Sequence, residues 1–323
     1  MLDPFGRTID YLRISVTDRC NERCLYCMPE GYRGWAQRAD HLTAAQIVAI
    51  AASAARLGFR KFRLTGGEPL LRADFLDIAR GIGALHSLHS LGVSTNGLRL
   101  ASLARELAAA GVRSANVSLD ALDPALYRRV TGGDIAPVLA GIRAAQAENI
   151  FIKLNCVLLR GVNESEYRPL IRFAAEIGAP LRFIELMPLT RADVLSGKNF
   201  LSVAELRARL QAESPLEPLP DYRPGHGPAR YWRDQATGAH LGFIGAITTG
   251  DFCASCNKLR LTADGKLRPC LGRHGELDLK AALASGDPAA LETLLAQAIA
   301  EKPETHDFAD DYTPARPMTA LGG

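Results

Sequence analysis

The 323-residue sequence lacks several features that would assign it early. Its first sixteen residues carry Asp3, Arg7, Asp10 and Arg13, with no apolar stretch of the kind that opens an export signal. Nowhere do about 18 apolar residues follow one another, which argues against a membrane-spanning helix. An excess of one charge is missing too: a formal net charge of +3 gives no electrostatic case for nucleic acid or a membrane as partner. There is no internal repeat and no low-complexity segment. What is left is the expectation of a soluble cytoplasmic globular chain, for which 47% hydrophobic and 23% charged residues are ordinary.

The cysteines are what is there. Seven occur, an odd number, and without an export signal they do not read as a disulfide framework. Cys20, Cys24 and Cys27 form a CxxxCxxC triplet, Cys253, Cys256 and Cys270 form a second set, and Cys156 stands alone. Three thiolates can hold three irons of a [4Fe–4S] cube and leave the fourth open to an external ligand. A structural zinc ion would want a fourth protein ligand, and none follows the first triplet at finger-like spacing, although His41 could be enlisted. Around the second set His274 could complete a zinc ribbon, so there both readings stay open. Cys156 falls on an apolar strand face and reads as a small buried hydrophobe.

Short β-like runs alternate with helical patterns through the first two thirds of the chain. Strands are expected near residues 11–17, 61–65, 91–95, 114–119, 151–158 and 181–187, with helices near 43–57, 73–85, 100–110, 135–147 and 164–177. Six such units imply a parallel sheet curled into a partial (β/α)6 barrel, an α/β fold spanning residues 1–212. Residues 213–228 are proline-rich and read as a linker or crossing segment. A strand near 240–247, a hairpin turning at Asp264-Gly265 and two further helices then make a smaller C-terminal α+β domain, 213–323, with a loop-like tail.

The strands have two unlike faces. Arg13, Ser15 and Thr17 alternate with Leu12, Ile14 and Val16; Lys61, Arg63 and Thr65 alternate with Phe62 and Leu64; Lys153 and Asn155 alternate with Leu154 and Cys156. A wholly structural barrel fills its interior with branched aliphatics. A polar interior instead predicts a ligand cavity, and strand arginines opposite an apolar face predict an anion in it.

Several segments carry a resemblance. CxxxCxxC after an N-terminal strand, followed by Gly66-Gly67-Glu68-Pro69 after the second, is similar to the radical S-adenosylmethionine (SAM) enzymes. Asp18-Arg19-Cys20-Asn21, Tyr26-Cys27-Met28-Pro29, Asn116-Val117-Ser118-Leu119-Asp120, Arg182-Phe183-Ile184-Glu185 and Phe252 through Leu261 more narrowly resemble the GTP 3′,8-cyclase family of molybdenum-cofactor biosynthesis. That resemblance runs from about Arg13 to the terminal glycines.

It implies two [4Fe–4S] clusters, one on Cys20, Cys24 and Cys27 and one on Cys253, Cys256 and Cys270, and SAM as cofactor at Tyr26, Gly67, Ser118 and Met187. It implies GTP at Arg13, Arg63, Ser94, Lys153 and the segment Lys258, Leu259, Arg260, with Arg13, Gly322 and Gly323 assisting catalysis. The implied chemistry is a 5′-deoxyadenosyl radical that takes hydrogen from ribose C3′, followed by closure onto guanine C8. The implied partners are an electron donor such as flavodoxin or ferredoxin and a downstream cyclic pyranopterin monophosphate synthase; a homodimer is also admitted. Lys258 departs from the family, which commonly has arginine there, and Ser94 stands in place of threonine. Two other readings are a radical SAM peptide-modifying enzyme with an auxiliary cluster, which predicts an upstream peptide-recognition domain, and a non-catalytic zinc-binding protein.

Overall fold

A computed structural model of the chain describes residues 1–28, 40–189, 197–250, 252–308, 310 and 312–322. Its strands are β1 (Tyr11–Ser15), β2 (Lys61–Thr65), β3 (Ser90–Thr95), β4 (Ser114–Ser118), β5 (Phe151–Val157), β6 (Leu181–Ile184), β7 (Leu216–Pro218), β8 (Arg230–Asp234), β9 (His240–Ile244), β10 (Lys258–Leu261), β11 (Lys266–Arg268) and β12 (Leu277–Asp278). They form one sheet in the order β12-β11-β10-β1-β2-β3-β4-β5-β6-β9-β8-β7. β1 to β6 are parallel neighbours in sequence order, and helices cross between them as the alternation predicts.

The C-terminal strands extend this same sheet at both edges. β10 joins β1 in parallel and β9 joins β6 in parallel, each carrying an antiparallel ribbon outward. The curled sheet therefore has no bare parallel edge at β1 or β6.

Local sequence explains the crossing helices. Thr43 and Gln46 make a reciprocal capping box that starts Ala44–Arg56. Asp123 caps Pro124–Thr131, with proline in its first turn and Gly132 in a left-handed conformation at its end. Leu12, Ile14, Phe62, Leu64, Val93, Val117 and Leu154 are all buried between sheet and helices, which is the apolar face the alternation predicts. Cys156 is fully buried in the same layer, as expected of a small hydrophobe.

Several elements differ from expectation. Helices Pro124–Thr131 and Val203–Glu213 and strands β7, β8 and β12 have only short or weakly periodic patterns, and sequence reading passes over them. The segment 213–228 contains β7, and the tail carries a helical turn at Met318–Leu321 rather than remaining loop throughout. Residues 277–284, expected as helix, begin as β12 before the helix Lys280–Ser285. Among the described residues no helix is long and apolar enough to cross a membrane.

Candidate active site between two cysteine sets

Cys20, Cys24 and Cys27 lie on the loop that leaves the C-terminal end of β1. The loop is held to helix Pro124–Thr131 by Arg23 N–H to Thr131 O (2.7 Å) and Leu25 N–H to Val130 O (2.9 Å), and it turns through Cys27 N–H to Cys24 O (3.0 Å). Tyr127 donates its hydroxyl to Glu22 in the middle of this loop (2.9 Å).

Burial pushes the Cys20 and Cys27 thiols up to about 12 and the Cys24 thiol well above its ordinary value; the Glu22 carboxylate pushes Cys24 the same way, while the Glu22 backbone N–H works against burial at Cys20. Burial also raises the carboxyls of Glu22 and Glu68 to about 7 and that of Asp120 to about 6. Thiolates are therefore favoured on this loop once positive iron sits among them, which is what a cluster supplies. Among the described residues no three ligating side chains close to the compact geometry of a single ion. His41 faces Asp18 (3.3 Å) and His274 stacks on Tyr312 (5.1 Å between centroids), so each histidine nominated for zinc has another neighbour.

The two glycines after β2 hold that loop in place. A Cβ on Gly66 would lie 2.2 Å from Thr17 O and one on Gly67 2.3 Å from Arg19 O. The close approach is closed by Gly67 N–H to Thr17 O (2.8 Å) and Glu68 N–H to Arg19 O (2.7 Å). Glu68, fully buried, accepts from Leu70 N–H, the Thr95 hydroxyl and Asn96 N–H, and Asn96 in turn donates to Asn21 (2.8 Å). Gly66-Gly67-Glu68 thus braces the cysteine loop from two neighbouring strand ends.

Inside the barrel is a cavity of about 280 Å³, reached by Tyr26, Ser118 and Met187 from the first-triplet side. Tyr26 donates its hydroxyl to Asp120 Oδ2 (2.6 Å), and Asp120 Oδ1 accepts from Val157 N–H (2.8 Å). In the cavity wall Arg260, Arg13 and Arg63 stand side by side in register across β10, β1 and β2. Like charges placed directly opposite destabilise a sheet, so this row asks for an anion. Gly92 is next in the row, and a Cβ there would meet Arg63 Nη2 at 2.7 Å.

Lys153, from β5, and Arg182, from β6, face the same cavity. Burial, then Arg63 and Arg182, depress Lys153 to about 6, and burial lowers Arg260 to about 9 and Lys258 to about 8. Arg182 has no hydrogen-bond partner for Nε and Nη2, although both atoms are buried. Buried donors without acceptors and cations pushed toward neutrality mark a polyanion site.

Cys253, Cys256 and Cys270 close the opposite end. Cys253 and Cys256 precede β10, which runs parallel to β1, and Cys270 follows the antiparallel β11, so all three gather at the N-terminal end of the barrel. All three line the cavity. The Cys256 thiol lies below its ordinary value: burial raises it, but the ammonium groups of Lys302 and Lys258 outweigh that. One cavity is thus lined by the second cysteine set, by Tyr26 of the first-triplet loop and by several cations.

The remaining nominated residues fall as follows. Ser94, on β3, accepts a hydrogen bond from Asn116 Nδ2 (3.5 Å) one row back from the lining. Leu259 is fully buried, in register with Leu12 on the helix-facing side of the sheet. Gly322 accepts a hydrogen bond at its carbonyl from Arg260 Nη1 (2.9 Å) and packs so closely that a Cβ would lie 2.5 Å from Thr65 Cγ2. Gly323 and Pro29 lie outside the described residues. Sequence reasoning gave no role to Tyr11, Arg182 or Lys302. Arg182 carried the same signal as Arg63, a cation alternating with apolar neighbours; Lys302, just beyond a helix end, carried none.

This fold and site define a radical SAM enzyme: the Radical SAM superfamily model matches residues 14–174. The Molybdenum Cofactor Synthesis C model follows over residues 179–308. The chain is 45% identical over 333 residues to a GTP 3′,8-cyclase of Rhodopseudomonas palustris strain TIE-1, covering 100% of this chain and 96% of that one. It is also 45% identical over 324 residues to one of Rhizobium etli strain CIAT 652, covering 99% and 92%. The chain belongs to the GTP 3′,8-cyclase family.

Among solved structures, Streptococcus suis SuiB bound to the precursor peptide SuiA shares the fold with a TM-score of 0.63 at 15% identity, over 84% of this chain and 63% of SuiB. Native anSMEcpe with bound AdoMet does so with a TM-score of 0.60 at 15% identity, over 92% and 82%. Family membership displaces the zinc-protein and peptide-maturase readings.

Proposed function

We propose that this chain converts GTP to 3′,8-cyclo-7,8-dihydro-GTP, the first step of molybdenum-cofactor biosynthesis, with SAM and two [4Fe–4S] clusters. The observation that carries the reading is the in-register row Arg260–Arg13–Arg63 inside a cavity lined by Cys253, Cys256 and Cys270 and by Tyr26 of the first-triplet loop. Cys20, Cys24 and Cys27 would hold the first cluster and Cys253, Cys256 and Cys270 the second. When bound, the first cluster with SAM supplies the 5′-deoxyadenosyl radical that opens the reaction.

The chain's own residues bind, orient and exclude water. Tyr26, Ser118 and Met187 line the end where SAM would lie, and Gly67 sets the loop beneath it. The triphosphate is met by Arg13, Arg63, Lys153, Lys258 and Arg260, whose forked and point donors converge on one cavity. Ser94 supports this wall through Asn116, and Leu259 fixes the β10 register that aims its two neighbours. Arg13, at the centre of the row, and the Gly322-Gly323 tail are assigned to catalysis, because Gly322 sits against Arg260 where a side chain would not fit.

Residues 1–212 form the radical-generating unit and 213–323 the unit that brings the second cysteine set and the tail. The reading carries with it a cytoplasmic setting, a flavodoxin- or ferredoxin-type electron donor, handover to cyclic pyranopterin monophosphate synthase, and a homodimer. Anaerobic reconstitution with iron and sulfide, then incubation with SAM, GTP and a strong reductant, tests the activity. Equal amounts of 5′-deoxyadenosine and cyclised nucleotide are expected; 5′-deoxyadenosine formed equally with and without GTP, and no cyclised product, would overturn it.

A further inference from the structure

Lys302 follows the helix Pro288–Ala300 and is only 3% exposed. Its Nζ donates to Lys258 O (2.9 Å) and to Pro269 O (2.6 Å). Lys258 stands two residues after Cys256, and Pro269 directly precedes Cys270. The Lys302 ammonium is close enough to the Cys256 thiol to pull its pKa below the ordinary value. No carboxylate is among its hydrogen-bond partners in the described residues. A buried ammonium bonded to neutral carbonyls is costly, and the Cys256 sulfur beside it is the group that can carry its counter-charge. Arg7 adds a second tie, donating from Nη1 to Cys253 O (3.0 Å).

We propose that Lys302 is a positioning residue of the second cysteine set: it pins together the two segments that present Cys256 and Cys270 and keeps its ammonium beside the Cys256 sulfur. The inference rests on the reading of Cys253, Cys256 and Cys270 as cluster ligands. Net charge and hydrogen bonds at the sulfurs set the reduction potential of such a cluster, so Lys302 holds that potential up.

The test uses full-length protein with Cys20→Ala, Cys24→Ala and Cys27→Ala, reconstituted anaerobically so that the second set alone can load. Iron and sulfide content and the midpoint potential, from a redox titration followed by electron paramagnetic resonance, are compared for Lys302, Lys302→Met, Lys302→Gln and Lys302→Arg. Methionine and glutamine are expected to lose iron or to shift the potential downward, and arginine to restore both. If methionine does not fold, glutamine carries the test, since it keeps N–H donors and lacks the charge. Unchanged iron content and potential in all four forms would overturn the role of Lys302. A parent that binds no iron and sulfide would overturn the cluster reading itself.

Discussion

At the scale of single residues the site is a problem of unbalanced charge. Arg13 sits between Arg63 and Arg260 in adjacent strands, and burial depresses it further. A charge-assisted hydrogen bond to a phosphate contributes about 1.5–3 kcal/mol, so Arg13→Ala should lower kcat/KM for GTP by about 10- to 100-fold. Steady-state 5′-deoxyadenosine formation against GTP concentration measures it.

Lys153 gives a proton signature instead. With its pKa depressed to about 6, this lysine is largely neutral at neutral pH in the free site, and a polyanion restores its proton. GTP binding should therefore take up protons, and Lys153→Met should reduce that uptake; calorimetry in buffers of different ionisation enthalpy reads it. The sign for folding follows. The unfolded lysine binds more protons above pH 6, so this group's contribution to stability rises with pH from about 6 toward the ordinary lysine range. Arg13, Arg63 and Lys153 were visible as cations alternating with aliphatics, whereas nothing near Lys302 in the sequence announces that its ammonium ends beside Cys256.

Among the elements, the loops at the strand ends carry the most constraint. Gly67→Ala places a methyl group 2.3 Å from Arg19 O, within the loop that presents Cys20. The expected outcome is loss of the iron held by the first triplet with that of the second set retained, read by iron and sulfide analysis against the Cys20→Ala, Cys24→Ala, Cys27→Ala protein. The motif Gly66-Gly67-Glu68 was recognisable through the family resemblance. Its mechanical role was not, because the neighbour that forbids a side chain on Gly67, Arg19, is 48 positions away in sequence. Elements with long periodic patterns, such as Ile135–Ala147, were readable as well. Val203–Glu213 was not, because its apolar positions Val203, Leu206 and Leu210 are outnumbered by polar ones in a helix only partly covered.

For the whole molecule, the two halves share one sheet. β9 and β10 cover the edges that β6 and β1 would otherwise present, so residues 1–212 alone are expected to aggregate, with full-length protein soluble under the same conditions. Light scattering and sedimentation of the two forms measure this. Removing Gly322 and Gly323 leaves the sheet intact but takes away the acceptor of Arg260. The melting temperature should hold while cyclised product is lost.

The sequence by itself determined the cysteine triplets and the alternation of cations with aliphatics, because these depend on spacings of a few residues, and the glycine motif through its resemblance to a family. Only the tertiary structure decided that Tyr26 of the first-triplet loop and the second cysteine set line one cavity, that three arginines align in register, and that Lys302 reaches Cys256 and Gly322 reaches Arg260. Those relations join residues tens to hundreds of positions apart. They are set by which strand pairs with which, and a one-dimensional pattern does not encode that pairing.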